Sequence, residues 1–233
     1  MRIDIATLFP EMCEAVLGES IVGRARKAGK IEIHCHQIRD YSTDKHRRVD
    51  DTPYGGGMGM VMQAEPIYRC FLAVTEDFEH KPHTIYMSPK GNVFTQQRVI
   101  ELSKMPNLFI ICGHYEGVDQ RVIDKIVDEE ISIGDYVLTG GELPAMAVTD
   151  AVARMCDGVL ASEECFREES HFSGLLEYPH YTRPEVWEGE RVPEVLLTGH
   201  HKNIETFRHE EAVKITMTRR PDLFTKLEDS NKK

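Results

Sequence analysis

The chain lacks the features that would mark it for a membrane or an oxidising compartment. Its apolar runs, such as LFIIC at 108–112, are far too short to span a bilayer. The opening MRIDIATLFPEM carries Asp4 and has no long apolar core of the signal-peptide kind. A cytoplasmic location with no membrane partner is therefore expected. Six cysteines, at 13, 35, 70, 112, 156 and 165, include no C-x-x-C pair and none of the close spacing of a zinc ribbon or a disulfide framework. They read as reduced, mostly buried thiols. The common nucleotide fingerprints are also missing. The glycine-rich YGGGMGM at 54–60 is not spaced as G-x-G-x-x-G, and no G-K-[ST] follows it. Taken alone it is a flexible loop. No serine-hydrolase elbow is present. An excess of positive charge is absent too: 28 basic against 39 acidic residues give a net charge of −11, which argues against coating nucleic acid through bulk charge. Basic residues cluster only locally, in GRARKAGK at 23–30, DKHRR at 44–48 and TRR at 218–220.

What is there is an ordinary apolar share of 41% over 233 residues, enough for one large domain or a main domain with a small one. Apolar runs predict strands over Arg2–Leu8, Lys30–Ile38, His83–Met87, Asn107–Cys112, Glu130–Ile133 and Tyr136–Leu138. Helical patterns fall between them, over Gln63–Thr75, Thr95–Lys104, Asp119–Val127 and Glu142–Met155. Strands alternating with helices predict an α/β domain with a mostly parallel sheet. After Val159 the sequence becomes rich in charge, glycine and proline, as a linker would be, and helical spacing returns over Ile204–Met217. The expected organisation is a main domain over 1–159, a flexible linker over 160–175 and a small helical domain over 176–233. The early part of that stretch, Ser162–Phe172, is expected to be mobile or ordered by a partner.

Two histidine groups invite a metal. HCH at 34–36 puts two histidines on one strand face, but no third ligand is near in sequence, so a solvated sheet face is the better reading. GHH at 199–201 reads as the first turn of a helix. No metal is assigned. Three other segments share a pattern: YMSPKG at 86–91, ICGHYEGVDQR at 111–121 and the opening stretch each run from an apolar strand into glycine or proline. Loops so placed sit at the carboxyl ends of strands, where α/β folds bind ligands. The stretch ISIGDYVLTGGELPAM at 131–146 is broken by Gly134, Gly140 and Gly141, which implies a sharp fold, a close ligand, or both.

The ordered set LFPEM, RDY, YGGGMGM, GHYEGVDQR, SIGDYVLTGGELPA, DAVAR and GLLEYPHYTRPEV, continuing through GHH to RRPDL, resembles the bacterial tRNA (guanine-N1)-methyltransferase family of the SPOUT superfamily. That resemblance covers nearly the whole chain. It implies an S-adenosylmethionine-dependent enzyme acting on tRNA that carries G at position 37, immediately 3′ of the anticodon, and a homodimer. It also implies a SPOUT-type sheet with a deep trefoil knot at the carboxyl end of the main domain, plus the small helical domain. By the same resemblance Tyr86, Ser88, Pro89, Gly91, Gly113, Ile133, Gly134, Asp135, Tyr136, Val137, Leu138, Gly140, Gly141 and Pro144 surround the cofactor. The arginine that stabilises developing charge on guanine O6 maps onto Arg154. The base that removes the N1 proton maps onto Glu169, which stands in place of the family's aspartate. Glu116 is a further carboxylate expected at the guanine or at the cofactor's amino group. Met58 stands where many relatives have proline. Arg24, Lys45, Arg47, Arg48, Arg183, Arg219 and Arg220 are the candidates for phosphate contacts. The rival expectations are a SPOUT enzyme for another RNA base and a catalytically silent knotted RNA-binding protein.

Overall fold

The computed structural model describes residues 1–162, 166 and 169–230, in two compact units, Met1–Ala161 and Ser162–Lys233. Cys165, and part of the stretch expected to be mobile, lie outside the described residues. In the first unit five strands form one sheet. They are β1 (Arg2–Thr7), β2 (Glu32–Gln37), β5 (His83–Val93), β6 (Asn107–Cys112) and β7 (Glu129–Ser132), in the order β2-β1-β6-β5-β7, with every pairing parallel. A two-residue pair, β3 (Asp50–Asp51) with β4 (Val61–Met62), stands apart and is antiparallel. This is the mostly parallel α/β architecture that the alternating pattern predicts.

Strand alternation sends successive side chains to opposite faces, and each face has its own core. On one side Ile3, Ile5, Ile85, Ile110 and Cys112 pack with α1 (Pro10–Leu17), α2 (Ser20–Lys27), α4 (Gln96–Leu102) and α6 (Glu142–Ala153). On the other, Ala6, Tyr86, Phe109 and Ile111 pack with α3 (Ala64–Thr75) and α5 (Gln120–Ile126). Burying each large aliphatic or aromatic side chain contributes about 1.5–3 kcal/mol. Helices α1 and α2 were not expected from the sequence. Each has only eight residues, and α1 exposes Met12 and Val16, so neither presents a clean apolar stripe.

Two further departures shape the site. β5 does not stop at Met87. It continues to Val93, with Ile131 facing both Met87 and Asn92, so Ser88–Gly91 loop out of the ladder. Proline at 89 has no N–H to give to a neighbouring strand, and Gly91 has no room for a side chain: a Cβ there would meet the Glu130 carbonyl carbon at 2.3 Å. Tyr136–Leu138, expected as a strand, is instead an exposed turn region. The Ser132 hydroxyl binds both the N–H and the carbonyl of Gly134, whose φ of +151° bends the chain away from any strand partner.

HCH lies on the edge strand β2. His34 is solvent-exposed, whereas His36 Nε2 is hydrogen-bonded at 2.8 Å to Oδ1 of the fully buried Asp4. In the second unit, a short hairpin of β8 (Val186–Trp187) and β9 (Glu190–Arg191) precedes helices over His201–Arg219 and Pro221–Ser230. Thr216, fully buried, accepts from the Leu176 N–H at 2.8 Å and so ties the irregular approach to the first of these helices. Among the described residues no helix is long and apolar enough to cross a membrane.

At the end of the sheet opposite the strands' carboxyl termini, Arg98 grips Glu129 through Nη2 at 2.6 Å and Nε at 3.1 Å, and His83 Nε2 lies 2.6 Å from the same carboxylate. Burial opposes the charge on Glu129, but the hydrogen bonds from His83 and Arg98 outweigh it and hold the carboxyl below its usual range. A carboxyl that binds its proton less readily when folded contributes stability above its unfolded pKa and loses it as pH falls through the folded value. Arg98→Met should therefore cost about 1.5–3 kcal/mol at neutral pH. In urea denaturation that deficit should narrow below about pH 4; a deficit independent of pH would place the cost elsewhere.

Candidate active site

A cleft of about 280 Å3 opens at the carboxyl ends of β5, β6 and β7. Its walls come from three segments of the chain: 86–90, where β5 loops out of its ladder, 113–118 after β6, and 131–141 from the end of β7 onward, closed by Pro144 in α6. Of the residues expected at the cofactor, Tyr86, Ser88, Pro89, Gly113, Ile133, Gly134, Tyr136, Val137, Leu138, Gly140, Gly141 and Pro144 line it, together with Glu116. Gly91 and Asp135 do not: Gly91 lies against the β7 backbone, and Asp135 is exposed beside the turn at Gly134. The cleft also holds Met87, Lys90, His114, Tyr115, Val118 and Ile123, which were not singled out from the sequence. His114 and Tyr115 sit inside GHYEGVDQR, so the motif that gave Glu116 contained them as well.

The glycines have separate reasons. Gly134 adopts a left-sided φ that other residues rarely take. Gly141 has an ordinary φ of −82° but no space, because a Cβ there would fall 2.7 Å from Cys112 Cα and 2.8 Å from Gly113 N. Its N–H donates to the Gly113 carbonyl at 2.8 Å, joining the entry of α6 to the end of β6. At Gly140 the neighbours are side chains, Glu142 Oε2 at 2.4 Å and His114 Nδ1 at 2.8 Å from a built Cβ.

Glu116 is held from its backbone, its N–H donating to the Met60 carbonyl at 3.0 Å, and its carboxylate lies against Gly59. The glycine-rich segment thus packs against Glu116, with Tyr54 and Met58 exposed. Gly55, Gly56, Gly57 and Gly59 all have positive φ, which explains the glycines by conformation. Burial drives the Tyr86 phenol upward, with the Glu130 charge adding to it, so the group stays protonated beside Gly113. Burial likewise pushes the Cys112 thiol well up; it is a packing residue and not a nucleophile. Apolar Ile123, Ile133, Leu138 and Pro144 share the cleft with polar Ser88 and the carboxylate of Glu116, a lining that suits a ligand with both apolar and polar groups. Among the described residues no group of three or more His, Cys, Asp or Glu is placed to hold a metal ion.

Arg154 terminates α6, its N–H donating to the Asp150 carbonyl at 3.1 Å. Glu169 belongs to the second unit, where its N–H donates to the Phe166 carbonyl at 3.2 Å. Of the phosphate candidates, Arg47, Arg48 and Arg220 are ion-paired with Asp40, Asp44 and Asp222 at 2.9, 3.2 and 2.7 Å. Such exposed pairs are weak and exchange readily.

A parallel α/β sheet with a ligand cleft across three strand ends, closed by glycine contacts between backbones, defines a ligand-binding α/β domain of the enzyme type. The family model for tRNA (Guanine-1)-methyltransferase TrmD matches residues 1–226. A tRNA (guanine-N(1)-)-methyltransferase of Ruminiclostridium cellulolyticum is 56% identical over 231 residues, 99% of each chain. Those of Chloroflexus aurantiacus and Clostridioides difficile are 57% and 52% identical, over 97% of this chain and 89% and 98% of theirs. The chain belongs to the tRNA (guanine-1)-methyltransferase family.

Gly141→Ala should act on folding before it acts on binding, because the obstructing atoms are backbone. A stability loss of roughly 1–3 kcal/mol, or failure to fold, is expected. Gly140→Ala, which meets side chains, should fold and lose ligand affinity; equal melting temperatures for both variants would contradict this division.

Proposed function

We propose that this chain methylates N1 of guanine in tRNA, with S-adenosylmethionine as donor and the guanosine at position 37 as target. The observation that carries the reading is the strand-end cleft in which Ser88, Gly113, Glu116, Leu138, Gly140 and Gly141 meet, in a chain that matches the family over residues 1–226. When bound, S-adenosylmethionine supplies a methyl group on a positively charged sulfur. The chain's part is to hold guanine in line with that methyl carbon and to manage one proton. With guanine N1 held toward that methyl group, the Glu169 carboxylate would accept the N1 proton as the methyl group is transferred. A general base so placed contributes typically ~10²- to 10⁴-fold. Arg154 offsets the negative charge that develops on O6. Glutamate in place of aspartate keeps the carboxylate and adds one methylene, so its backbone must sit slightly farther from N1.

Three structural readings accompany this one. The first is a trefoil knot. It is supported by the path of the chain, which leaves edge strand β7 and returns two strands inward to pair Gly141 with Gly113. The second is a division into a cofactor domain over 1–159, a linker over 160–175 and a tRNA-binding domain over 176–233. The third is a homodimer in which the linker of one chain serves the cleft of the other, a cytoplasmic enzyme assembled on its tRNA.

The test is transfer of labelled methyl from S-adenosylmethionine to an unmodified tRNA transcript with G after the anticodon, beside one with A there. Label on the G transcript alone is expected. Label on neither, with the donor still bound, would favour a silent RNA binder, and label on both a different target base. Glu169→Gln should retain donor binding and lose at least ~10²-fold in rate; an unchanged rate would remove Glu169 from the role of base.

A further inference from the structure

His114 lines the cleft, yet its Nδ1 is buried without a hydrogen-bond partner, one of two such side-chain atoms among the described residues. An orphaned buried nitrogen costs about 1–3 kcal/mol, so its place calls for a partner that arrives in another state. The ring is packed by two neighbouring rings. It meets Phe9 edge-on at 5.3 Å and Tyr115 at 4.9 Å. The group beside Nδ1 is Glu142. A single point, where Gly140 would carry a Cβ, lies 2.8 Å from His114 Nδ1 and 2.4 Å from Glu142 Oε2, so the two atoms are no farther apart than those two distances laid end to end. Only the missing side chain of Gly140 leaves the space between them open.

Glu142 is 3% exposed and sits in the first turn of α6. Its Oε1 accepts from the Thr7 hydroxyl at 2.7 Å, and the Thr7 oxygen in turn accepts from the Phe9 N–H at 2.9 Å. The residue whose amide steadies this chain of hydrogen bonds is the one whose ring packs on His114. The turn that carries His114 is closed by the Gly117 N–H, which donates to the His114 carbonyl at 3.1 Å, and it carries Glu116. Hydrogen bonds in ligand-free sites are often long and close when the site fills.

We infer that His114 is a positioning residue: when donor and tRNA fill the cleft, Nδ1–H of His114 donates to Glu142 Oε2 across Gly140, and this bond fixes the 113–117 turn so that Glu116 faces the reacting guanine. The inference rests on the methyltransferase reading above. It assigns Glu142 a role beyond anchoring α6, and it gives Gly140 a reason besides lining the cleft, the room that a His114–Glu142 contact needs.

The test uses the full chain with S-adenosylmethionine and the G transcript, comparing wild type with His114→Phe, His114→Asn, Glu142→Gln and the double variant His114→Phe/Glu142→Gln. His114→Phe keeps a ring and loses the donor. It should lower kcat about tenfold or more, the worth of one charge-assisted hydrogen bond, with KM for both substrates little changed. Asparagine places an N–H close to where Nδ1 stood and should recover most of the rate. The double variant should be no slower than His114→Phe alone. Full rate in His114→Phe, failure of asparagine to recover it, or multiplying effects in the double variant would each overturn the inference. Should the phenylalanine variant melt early, the asparagine comparison per folded molecule still decides. A second readout is independent of turnover. In protein labelled with 15N-histidine, the His114 Nδ1 signal should take on N–H character when donor and tRNA are added, and should not do so in Glu142→Leu, which has no acceptor. An unchanged signal sinks the inference, whereas wild type inactive on the G transcript sinks the parent reading.

Discussion

The Gly141 N–H reaches the Gly113 carbonyl at 2.8 Å, with the Gly141 α-carbon so near Cys112 that no side chain fits between them. Everything at the cleft follows from that contact. It stitches the amino end of α6 to the carboxyl end of β6, two strands inward from the edge strand that the chain has just left. The intervening residues, 133–140, must then pass over the strand ends and become a cleft wall. Their apolar side chains, Tyr136, Val137 and Leu138, stay exposed because the chain is held away from any strand that could pair with it. Fold and ligand site are thus one constraint, and the backbone hydrogen bond from Gly141 to Gly113, made where Gly141 has no room for a Cβ, is its core.

Around that contact the polar groups are arranged with little left to chance. Glu142 is buried at a helix amino end, where a negative charge is favoured, and is tied to Thr7. Asp4 is fully buried between Arg2 and His36; burial opposes its charge, and the hydrogen bonds from His36 and Arg2 outweigh that and keep it ionised. At the far end of the sheet Glu129 is held in the same way. The acidic total charge of the chain is therefore compatible with binding an anionic RNA: several carboxylates are buried or occupied, and some exposed arginines are paired only with weakly held surface aspartates. The two side chains proposed to handle the proton and the O6 charge belong to different units, Glu169 to the second and Arg154 to the first.

Much of this was legible in the sequence, for identifiable reasons. β1 and β6 announce themselves because each is a short apolar run buried on both faces, and α3 to α6 because their apolar spacing matches one packed stripe. Strand-to-glycine transitions at 86–91 and 111–121 pointed to the strand-end cleft, and the ordered motifs pointed to the family. The same reasoning misread Tyr136–Leu138, because an apolar run looks alike whether it pairs with a strand or borders a ligand site. It overlooked α1 and α2, whose exposed apolar residues blur the helical stripe. It could not separate Gly91, which serves the β5–β7 contact, from the glycines of the cleft.

The sequence by itself determined the parallel α/β class, the strand-end location of the site and the family, because these depend on local periodicity and on the order of motifs along the chain. Only the tertiary structure decided which residues share the cleft, why Gly134, Gly140 and Gly141 are glycines for three different reasons, and that His114 faces Glu142. Those facts depend on distances between segments far apart in the chain, and close approach in space leaves no periodic mark in one dimension.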